Sequence, residues 1–564
     1  MAINGGWTPC QAFIRLTKNA DLSLYRLKFD ETSNQLHLDS SAGENLAIQL
    51  NDPISVQAAS ITLSRWFPSS IPGKPTVARA NAGYWDHVDA EIAIINTQTI
   101  DLLSTAAGIT IDPLRFRGNL YVNGLLPQAE FSWVGQRIRI GEAEFTITRP
   151  IDRCSATSLD PKTGKVDVNM PALLARRLGH IFCGVYARVV KAGQIQFDDR
   201  VEILGPAQQI GAQYQQPETA PPAASWPRFA RVVARQREDQ HVDSFWLEDP
   251  LLLQRAPIQA GQHIRVHLLV DGQPIWRAYT VSAIRGNWLR ISVKKAQQSQ
   301  GGSAWLHSNA QLDCQLLISG PYGNFIAPQN CTNPVVLISA GIGITPILAM
   351  LNDLILQDTP PPIYVLHACQ SINDLALWDE VQLKISEEKK SLLNRYLFLT
   401  HASDDQCVAL NAQRGVMRFD CIRGIDIPTA SFYMCGPGGF MQYVETSLNT
   451  LGVSKNQIYR EIFSSPTANT NAQKPPPANG PFQITFLRKN LTVAWQASSG
   501  SLLDLAESSG VKLNANCRSG ACGTCSQAVV AGSIFHTLDP AMPLAEHICL
   551  ICCAVPVSNL ALDI

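Results

Sequence analysis

Two stretches poor in large apolar side chains cut this chain into pieces that must each build a core of their own. Residues 205–227 (GPAQQIGAQYQQPETAPPAASWP) hold five prolines and five glutamines, and residues 464–481 (SSPTANTNAQKPPPANGP) are richer still in Pro, Asn and Ala. Such segments bury too little apolar surface to offset the entropy of ordering them, so they read as exposed linkers. The 564 residues therefore fall into blocks 1–204, 226–463 and 482–564, joined by linkers 205–225 and 464–481. That agrees with a prior of roughly 150 residues per domain. No internal repeat relates the blocks.

Charge and hydropathy narrow the partners. Lys and Arg total 45 against 46 Asp and Glu, a net charge of −1, so nothing draws the chain generally toward nucleic acid or an anionic membrane. The longest apolar run, Val335 to Leu351, contains Gly341, Gly343, Thr345 and Pro346. It reads as a buried strand, a turn and the start of a helix, not as a membrane span. Met1–Ala12 shows no secretory pattern, so a cytoplasmic location without membrane insertion is expected. Nine of the fifteen cysteines are scattered from Cys10 to Cys435, the pattern of reduced thiols; six crowd between Cys517 and Cys553.

Periodicity sets the fold class of each block. In the first, short alternating runs (Leu46–Leu50, Leu120–Val122, Gln136–Ile140, Glu144–Ile147, Arg200–Leu204) are separated by turns such as Asn123-Gly124 and Gly141, predicting a β-barrel or sandwich-like core. Helices are expected at Thr99–Ala106 and Pro171–Gly179. The second block opens with strands (Ala230–Ala234, His263–Leu269, Trp288–Val293) and alternates strand and helix from Val335 onward. This predicts a barrel over 226–330 followed by a parallel α/β domain over 331–463. The third block has strands at Gln483–Leu487 and Leu491–Gln496 and a helix from Ser501 to Ser508.

The crowded cysteines explain the third block. Cys517, Cys522 and Cys525 have C-x4-C-x2-C spacing, and Cys549, Cys552 and Cys553 follow at a distance. This is the plant-type [2Fe–2S] pattern of four thiolates; zinc prefers paired C-x2-C knuckles. The small residues Gly520, Ala521, Gly523 and Thr524 let a loop wrap closely and turn backbone N–H groups toward sulfur. The whole block resembles a plant-type ferredoxin domain of the α+β β-grasp class. That family ends C-x-x-x-P, and Pro556 then selects Cys552 as the fourth metal ligand.

The second block carries phosphate- and ring-binding chemistry. In an extended Arg277-Ala278-Tyr279-Thr280-Val281-Ser282, Arg277 and Tyr279 share a face, offering a cation and a ring to stack on. Gly301-Gly302-Ser303 could cradle a phosphate with backbone amides. Gly341-Ile342-Gly343-Ile344-Thr345-Pro346 follows an apolar strand and opens a helix, and Cys435-Gly436-Pro437 follows the strand Ser431–Met434. In this order the motifs resemble the ferredoxin–NADP reductase superfamily, and blocks two and three together resemble a phthalate dioxygenase reductase-like module. The resemblance implies flavin contacts at Arg277, Tyr279, Thr280, Ser282, Gly302 and Ser303. It implies a nicotinamide nucleotide site at Gly341, Gly343, Thr345, Pro346, Gly436, Pro437 and Glu461, with Cys435 at the catalytic centre. Ala368-Cys369-Gln370-Ser371 offers no Arg for a 2′-phosphate, which favours NADH over NADPH. FMN and FAD both remain open.

In the first block, Arg115-Phe116-Arg117-Gly118-Asn119 would put two cations on one face of a strand. Arg149-Pro150-Ile151-Asp152-Arg153-Cys154 would set a thiol after a proline turn near two arginines, which favours a thiolate and hence a soft metal ligand. Together with Asn123-Gly124, Trp133-Val134-Gly135, Thr163-Gly164 and Gly184-Val185-Tyr186-Ala187, these runs resemble a MOSC domain of the amidoxime-reducing type. The resemblance implies that Cys154 ligates the molybdenum of a molybdopterin cofactor as catalytic and metal residue. Arg115, Arg117 and Asn119 would contact the pterin phosphate, with Asp86 near the metal. One departure is the missing Pro-Val-Lys-Ser-like start in Met1–Leu50, which makes the N-terminal part look shortened.

Taken together, the resemblances imply a multidomain, self-contained oxidoreductase. Electrons would run from NADH through flavin and a [2Fe–2S] cluster to a molybdenum cofactor that reduces small N-oxygenated substrates such as amidoximes and hydroxylamines. No pyridoxal phosphate is expected. The alternative is a reductase serving a separate electron-acceptor protein such as an oxygenase, with the MOSC block as a docking or molybdopterin/sulfur-carrier module.

Overall fold

In a computed structural model of the protein, the described residues are 13–16, 19–67, 75–77, 91–206, 226–252, 257–296, 301–383, 392–422, 424–461 and 480–511. Between 513 and 564 all are described except 514, 516–519, 521, 522, 524, 538, 539, 541–543, 545 and 546. Nearly all of both linkers, and Asp86, Cys517 and Cys522, lie outside the described residues. The chain divides into two compact units, residues 216–468 and residues 1–215 together with 469–564. Among the described residues no helix is long and apolar enough to cross a membrane.

The N-terminal part is an antiparallel meander of β1 (Arg26–Asp30), β2 (Gln35–Asp39) and β3 (Asn45–Gln49) followed by helix α1 (Pro53–Trp66). Asp52 starts that helix by accepting from the Ile54 and Ser55 amides, with Pro53 in the first turn where its missing N–H costs nothing.

A six-stranded sheet follows, built from β4 (Ile92–Asn96), β5 (Leu120–Val122), β6 (Gln136–Ile140), β7 (Ala143–Asp152), β8 (Phe182–Lys191) and β9 (Val201–Pro206). Its order is β5-β4-β8-β7-β6-β9, with β4 and β5 parallel and the other pairs antiparallel. The edge strands β5 and β9 do not pair with each other among the described residues, so the block is β-rich as expected but hydrogen-bonds as an open sheet. Helices α2 (Thr97–Ala107) and α3 (Met170–Leu178) cover it through Ile100, Leu103, Leu174 and Leu178, which meet Ile95 and Tyr186 of the sheet.

Two local expectations fail here. Arg115 and Arg117 are not on a strand. Pro113–Phe116 is a 3-10 turn capped by the Asp112 side chain on the Leu114 amide, and Arg117 leaves it with φ 51°. The Asp-Pro pair starts a turn before strand geometry can form. Pro150 likewise does not make a turn before Cys154. It lies inside β7, flanked by irregularities in the β7–β8 register, where an absent N–H is tolerated.

The second unit opens with a closed barrel of β10 (Arg228–Arg237), β11 (Val242–Glu248), β12 (His263–Val270), β13 (Gln273–Arg285), β14 (Trp288–Lys294) and β15 (Gln315–Tyr322). Around the barrel the order is β10-β11-β14-β13-β12-β15. Its core joins Val232, Phe245, Ile264, Val266, Ile291 and Ile318, and helix α4 (Gly302–Asn309) contributes Leu306. Arg228 is buried against Asp249, which binds it through two hydrogen bonds.

The parallel sheet contains β16 (Val335–Ala340), β17 (Ile363–Cys369), β18 (Leu393–Leu399), β19 (Ala412–Arg414), β20 (Ser431–Cys435) and β21 (Ile458–Glu461). Its order is β19-β18-β17-β16-β20-β21 and every pair is parallel. Helices α5 (Ile344–Leu356), α6 (Trp378–Leu383), α7 (Asp404–Ala409) and α8 (Gly438–Thr450) connect the strands. Two separate apolar clusters pack on the sheet, one with Val335, Leu337 and Leu348, the other with Val336, Ile338 and Val444. The apolar run from Val335 is thus a strand, a short turn and a helix, as its glycines and proline predict. The chain moves outward from β16 to β19 and then returns to place β20 on the other side. That reversal opens a crevice at the carboxyl ends of β16 and β20.

The C-terminal block comprises β22 (Phe482–Phe486), β23 (Leu491–Trp495), helix α9 (Leu502–Ser508), β24 (Ser526–Ala531), β25 (Ile534–His536), β26 (Ile548–Leu550), β27 (Ala554–Pro556) and β28 (Leu560–Leu562). Its sheet runs β23-β22-β28-β24-β26, with β22 parallel to β28, and β25 pairs with β27. Ser501 and Asp504 form a capping box that starts α9, whose Leu502, Leu503, Leu505 and Ala506 fill the core.

Candidate functional site

The flavin motif lies on β13, where Arg277 and Tyr279 are two residues apart and so share a face. The start of α4 comes directly against them. A Cβ added to Gly302 would stand 2.9 Å from Arg277 Cγ, so only glycine lets the helix N-terminus close on that cation. Cation and helix-start amides together suit an anion such as a phosphate. Ser303 accepts from the Ala296 amide at 3.3 Å, and Arg277 donates to its neighbour's carbonyl at 2.8 Å. Burial pushes the Tyr279 hydroxyl upward, and the buried Thr280 Oγ1 has no hydrogen-bond partner. A bare buried hydroxyl beside a cradle that a Cβ would fill fits a flavin. Ser282 is engaged elsewhere. Its hydroxyl accepts from Arg290 Nε at 3.0 Å, and the same guanidinium pairs with Glu380 at the start of α6.

The crevice between β16 and β20 collects the nicotinamide motifs. Gly343 packs on the end of β20: a Cβ there would lie 2.6 Å from the Cys435 carbonyl carbon and 3.0 Å from the Gly436 nitrogen. A Cβ at Gly436 would meet Phe440 at 2.7 Å, whereas Gly341, with φ 54°, faces open space. Thr345 Oγ1 donates to the Ile342 carbonyl at 3.0 Å, bracing the turn, and Pro346 sits in the first turn of α5. Pro437 caps α8. Cys435 is fully buried, and its thiol is held well above the ordinary range by burial and then by Glu461, its register partner on β21. Glu461 Oε1 lies 3.4 Å from Nδ1 of His263 on the barrel, and its buried Oε2 has no partner. Tight glycines and an orphaned carboxylate oxygen at the crevice fit a dinucleotide. After β17, Ser371 and Asp374 form a capping box with Ser371 Oγ donating to Asp374 at 2.7 Å, which puts a carboxylate in that turn.

In the C-terminal block Cys525 is buried and Cys552 half-buried. The Cys552 thiol is drawn well down by the Cys525 thiol, then by Cys553 and by the Gly520 amide. Cys549, on β26, goes the other way, pushed up to about 12 by burial. A thiolate favoured at Cys552 with the buried Cys525 thiol against it fits the chemistry of an iron–sulfur ligand set. No group of three metal-binding side chains occurs among the described residues, which lack Cys517 and Cys522.

The first block brings Arg115 and Arg117 to one pocket of about 380 Å³ whose other lining includes Leu27, Leu38, Leu114 and Ala156. Ala156 is two residues beyond the half-buried Cys154. Arg115 spends both terminal nitrogens on Asp167, at 2.7 and 2.6 Å, and leaves a buried Nε without a partner. Arg117 is exposed at the pocket. Asn119 instead ties down β4, accepting from the Ala93 amide at 2.8 Å. The arginines expected to acidify Cys154 are committed elsewhere. Arg153 donates to the Cys183 and Phe116 carbonyls, and Arg149 pairs with Glu91 at 3.0 Å. Burial far from water makes those oxygens stronger claims on the guanidinium than a neighbouring thiol. An orphaned Arg115 Nε and an exposed Arg117 at a pocket that Ala156 also lines fit an anionic cofactor.

Two features escaped sequence reasoning. Glu130 is fully buried, accepting from Asn96 at 2.8 Å and from Thr99 at 3.3 Å, and burial lifts its carboxyl to about 6. Its only sequence signal is a carboxylate followed by Phe131 and Trp133. His263, discussed below, follows Gly261-Gln262 with no motif around it.

Comparison with known proteins agrees with this division. Family models match as a MOSC domain over residues 76–202, an oxidoreductase FAD-binding domain over 230–326, an oxidoreductase NAD-binding domain over 337–446 and a 2Fe-2S iron-sulfur cluster binding domain over 484–557. The flavohemoprotein of Bacillus cereus is 30% identical over 263 residues, covering 44% of this chain; the match spans 65% of that relative's length. The flavohemoprotein of a Burkholderia species is 30% identical over 295 residues, 50% of this chain and 72% of the relative. A solved phthalate dioxygenase reductase, described as transferring electrons from pyridine nucleotides to [2Fe-2S], is 23% identical over 60% of this chain and 97% of its own, with a TM-score of 0.35. The chain belongs to the FAD- and NAD-binding oxidoreductases related to the flavohemoprotein reductase region, here joined to a MOSC domain ahead of it and a 2Fe-2S ferredoxin domain behind.

Proposed function

We propose that this oxidoreductase is self-contained, with NADH as donor and a molybdenum–pterin site in the MOSC block as the terminal reductant of N-hydroxylated small molecules. The observation that carries the reading is the pocket lined by Arg115, Arg117 and Ala156, the last of them two residues from Cys154 in sequence, on the same chain as FAD-binding, NAD-binding and 2Fe-2S domains. When bound, NADH supplies a hydride, FAD divides the pair into single electrons, [2Fe–2S] passes them singly, and molybdenum supplies two-electron reduction of an N–OH bond.

The chain's part is to hold and orient. Arg277 and the α4 amides at Gly302 and Ser303 would grip the flavin phosphate, and Thr280 would offer its free hydroxyl to the ring. Gly343 and Gly436 admit a dinucleotide to the β16–β20 crevice beside Cys435 and Glu461. Asp374 disfavours a 2′-phosphate by like charge, which supports NADH over NADPH. Cys517, Cys522, Cys525 and Cys552 would hold the cluster, with the Gly520 amide turned toward sulfur. Cys154 would ligate molybdenum, with Arg117 on the pterin phosphate and Arg115 held rigid by Asp167.

Metal analysis and turnover on one preparation test this. Purified chain expressed with ample molybdate should carry about one molybdenum, and Cys154→Ala should lose NADH-driven reduction of an amidoxime while flavin and cluster are still reduced. Undiminished turnover in Cys154→Ala rejects the molybdenum site and leaves a reductase that serves a separate acceptor.

A further inference from the structure

His263 stands where the barrel meets the nucleotide-binding sheet, and no motif accounts for it. It opens β12, facing Thr280 across the β12–β13 ladder and Tyr322 across the β12–β15 ladder. Its Nδ1 is 3.4 Å from Glu461 Oε1, and both side chains are largely buried, 19% and 14% exposed. Two polar atoms beside this pair are buried without partners, Glu461 Oε2 and Thr280 Oγ1. Such orphans are rare in folded proteins and each calls for an explanation. Glycine fixes the approach: a Cβ at Gly323, where φ is 104°, would stand 3.0 Å from His263 Nδ1.

We infer that His263 is a positioning residue for Glu461, pinning Oε1 when protonated and so fixing Oε2 as the acceptor for the carboxamide N–H of a nicotinamide. The inference rests on the reading of the Thr280–Cys435–Glu461 cleft as the place where nicotinamide meets flavin. At 3.4 Å the contact is longer than an ordinary hydrogen bond and within ion-pair reach, so the hold is an attraction between charges. The titratable and charged groups around His263 are Glu461 on β21, Tyr322 on β15 and Arg265 two residues along β12, whose guanidinium lies 4.3 Å from the Tyr322 ring centre. Cys435 lies beyond Glu461 on β20.

The test mixes the purified full chain, loaded with flavin and cluster, with NADH under anaerobic conditions. Flavin absorbance is followed at a series of NADH concentrations from about pH 5.5 to 8.5. For the unaltered protein the NADH saturation constant is expected to weaken about tenfold from the acid to the alkaline end, the worth of one charge-assisted hydrogen bond, while the limiting rate changes less. His263→Gln is expected to show the weak value throughout. The reduced 3-acetylpyridine analogue of NADH has a methyl ketone in place of the carboxamide and no N–H to donate, so its saturation is expected to ignore both pH and His263→Gln. NADH saturation independent of pH in the unaltered protein, or equal pH dependence for NADH and the analogue, overturns the inference without needing any variant to fold. Glu461→Ala, which removes the acceptor altogether, separates the two readings. If it leaves NADH saturation unchanged, the cleft reading fails; if it weakens NADH while His263→Gln does not, the cleft stands and the role of His263 falls.

Discussion

Replacing Gly343 by alanine should disable the nicotinamide crevice from within. The new Cβ would stand 2.6 Å from the Cys435 carbonyl carbon and 3.0 Å from the Gly436 nitrogen, both of them backbone atoms that no rotamer change can move. Carbon atoms in contact settle at about 3.5–4.0 Å, so the end of β20 must retreat by roughly 1 Å. It has little freedom to do so. Cys435 is held in register by Ser339 on one side and Glu461 on the other, and its side chain is fully buried. A misplacement of about 1 Å at a positioning element costs on the order of a hundredfold in rate, or ~2.7 kcal/mol of barrier. The assay is anaerobic stopped-flow reduction of the bound flavin by NADH, with the flavin and cluster spectra as the measure of integrity. Gly424→Ala is the control, because a Cβ there meets nothing within 4 Å and the residue is exposed. Flavin reduction in Gly343→Ala within about threefold of the unaltered rate, far short of the hundredfold loss, would refute the argument that this close approach holds the crevice open.

Two further outcomes follow from the described geometry. Cys552→Ser should bleach the visible iron–sulfur absorption and lower bound iron while flavin stays bound, and Cys549→Ser should spare the cluster; the reverse result moves the fourth ligand to β26. Glu130 should make the MOSC block less stable as pH rises. Because burial lifts its carboxyl to about 6 in the folded protein, the stability it contributes is full below the ordinary value of 4.5 and is lost as pH passes through about 6, a change of ~2 kcal/mol. Denaturant titrations of the protein and of Glu130→Gln between pH 4.5 and 7 should diverge by that amount, and parallel curves would exclude it.

Much of the architecture was legible locally. Leu120–Val122 and Gln136–Ile140 are strands with the bounds their alternation predicts, and the run from Val335 breaks into strand, turn and helix at its glycines and proline. These depend on side-chain period and turn chemistry within a few residues, which a sequence displays directly. Arg115 and Arg117 were misread because the Asp112-Pro113 pair imposes a capped turn that an alternation rule does not weigh. Arg153 was misread for a different reason. Its neighbour in sequence is Cys154, but its partners are the carbonyls of Cys183 and Phe116, which only the pairing of β7 with β8 brings near.

What the sequence alone determined is therefore the inventory and its order: a cysteine spacing for an iron–sulfur cluster, glycine turns after apolar strands, and an arginine–tyrosine pair on a strand. Only the tertiary structure decided which members of those motifs have a free hand. Thr280 and Ser282 lie two residues apart in one motif, yet one hydroxyl is buried without a partner and the other is taken by Arg290. His263 and Glu461 are remote in sequence and meet because barrel closure sets β12 against β15 and sheet order puts β21 beside β20. Motif content is fixed by covalent spacing, but pairing depends on strand register and chain reversal, which are set by contacts distributed over whole domains.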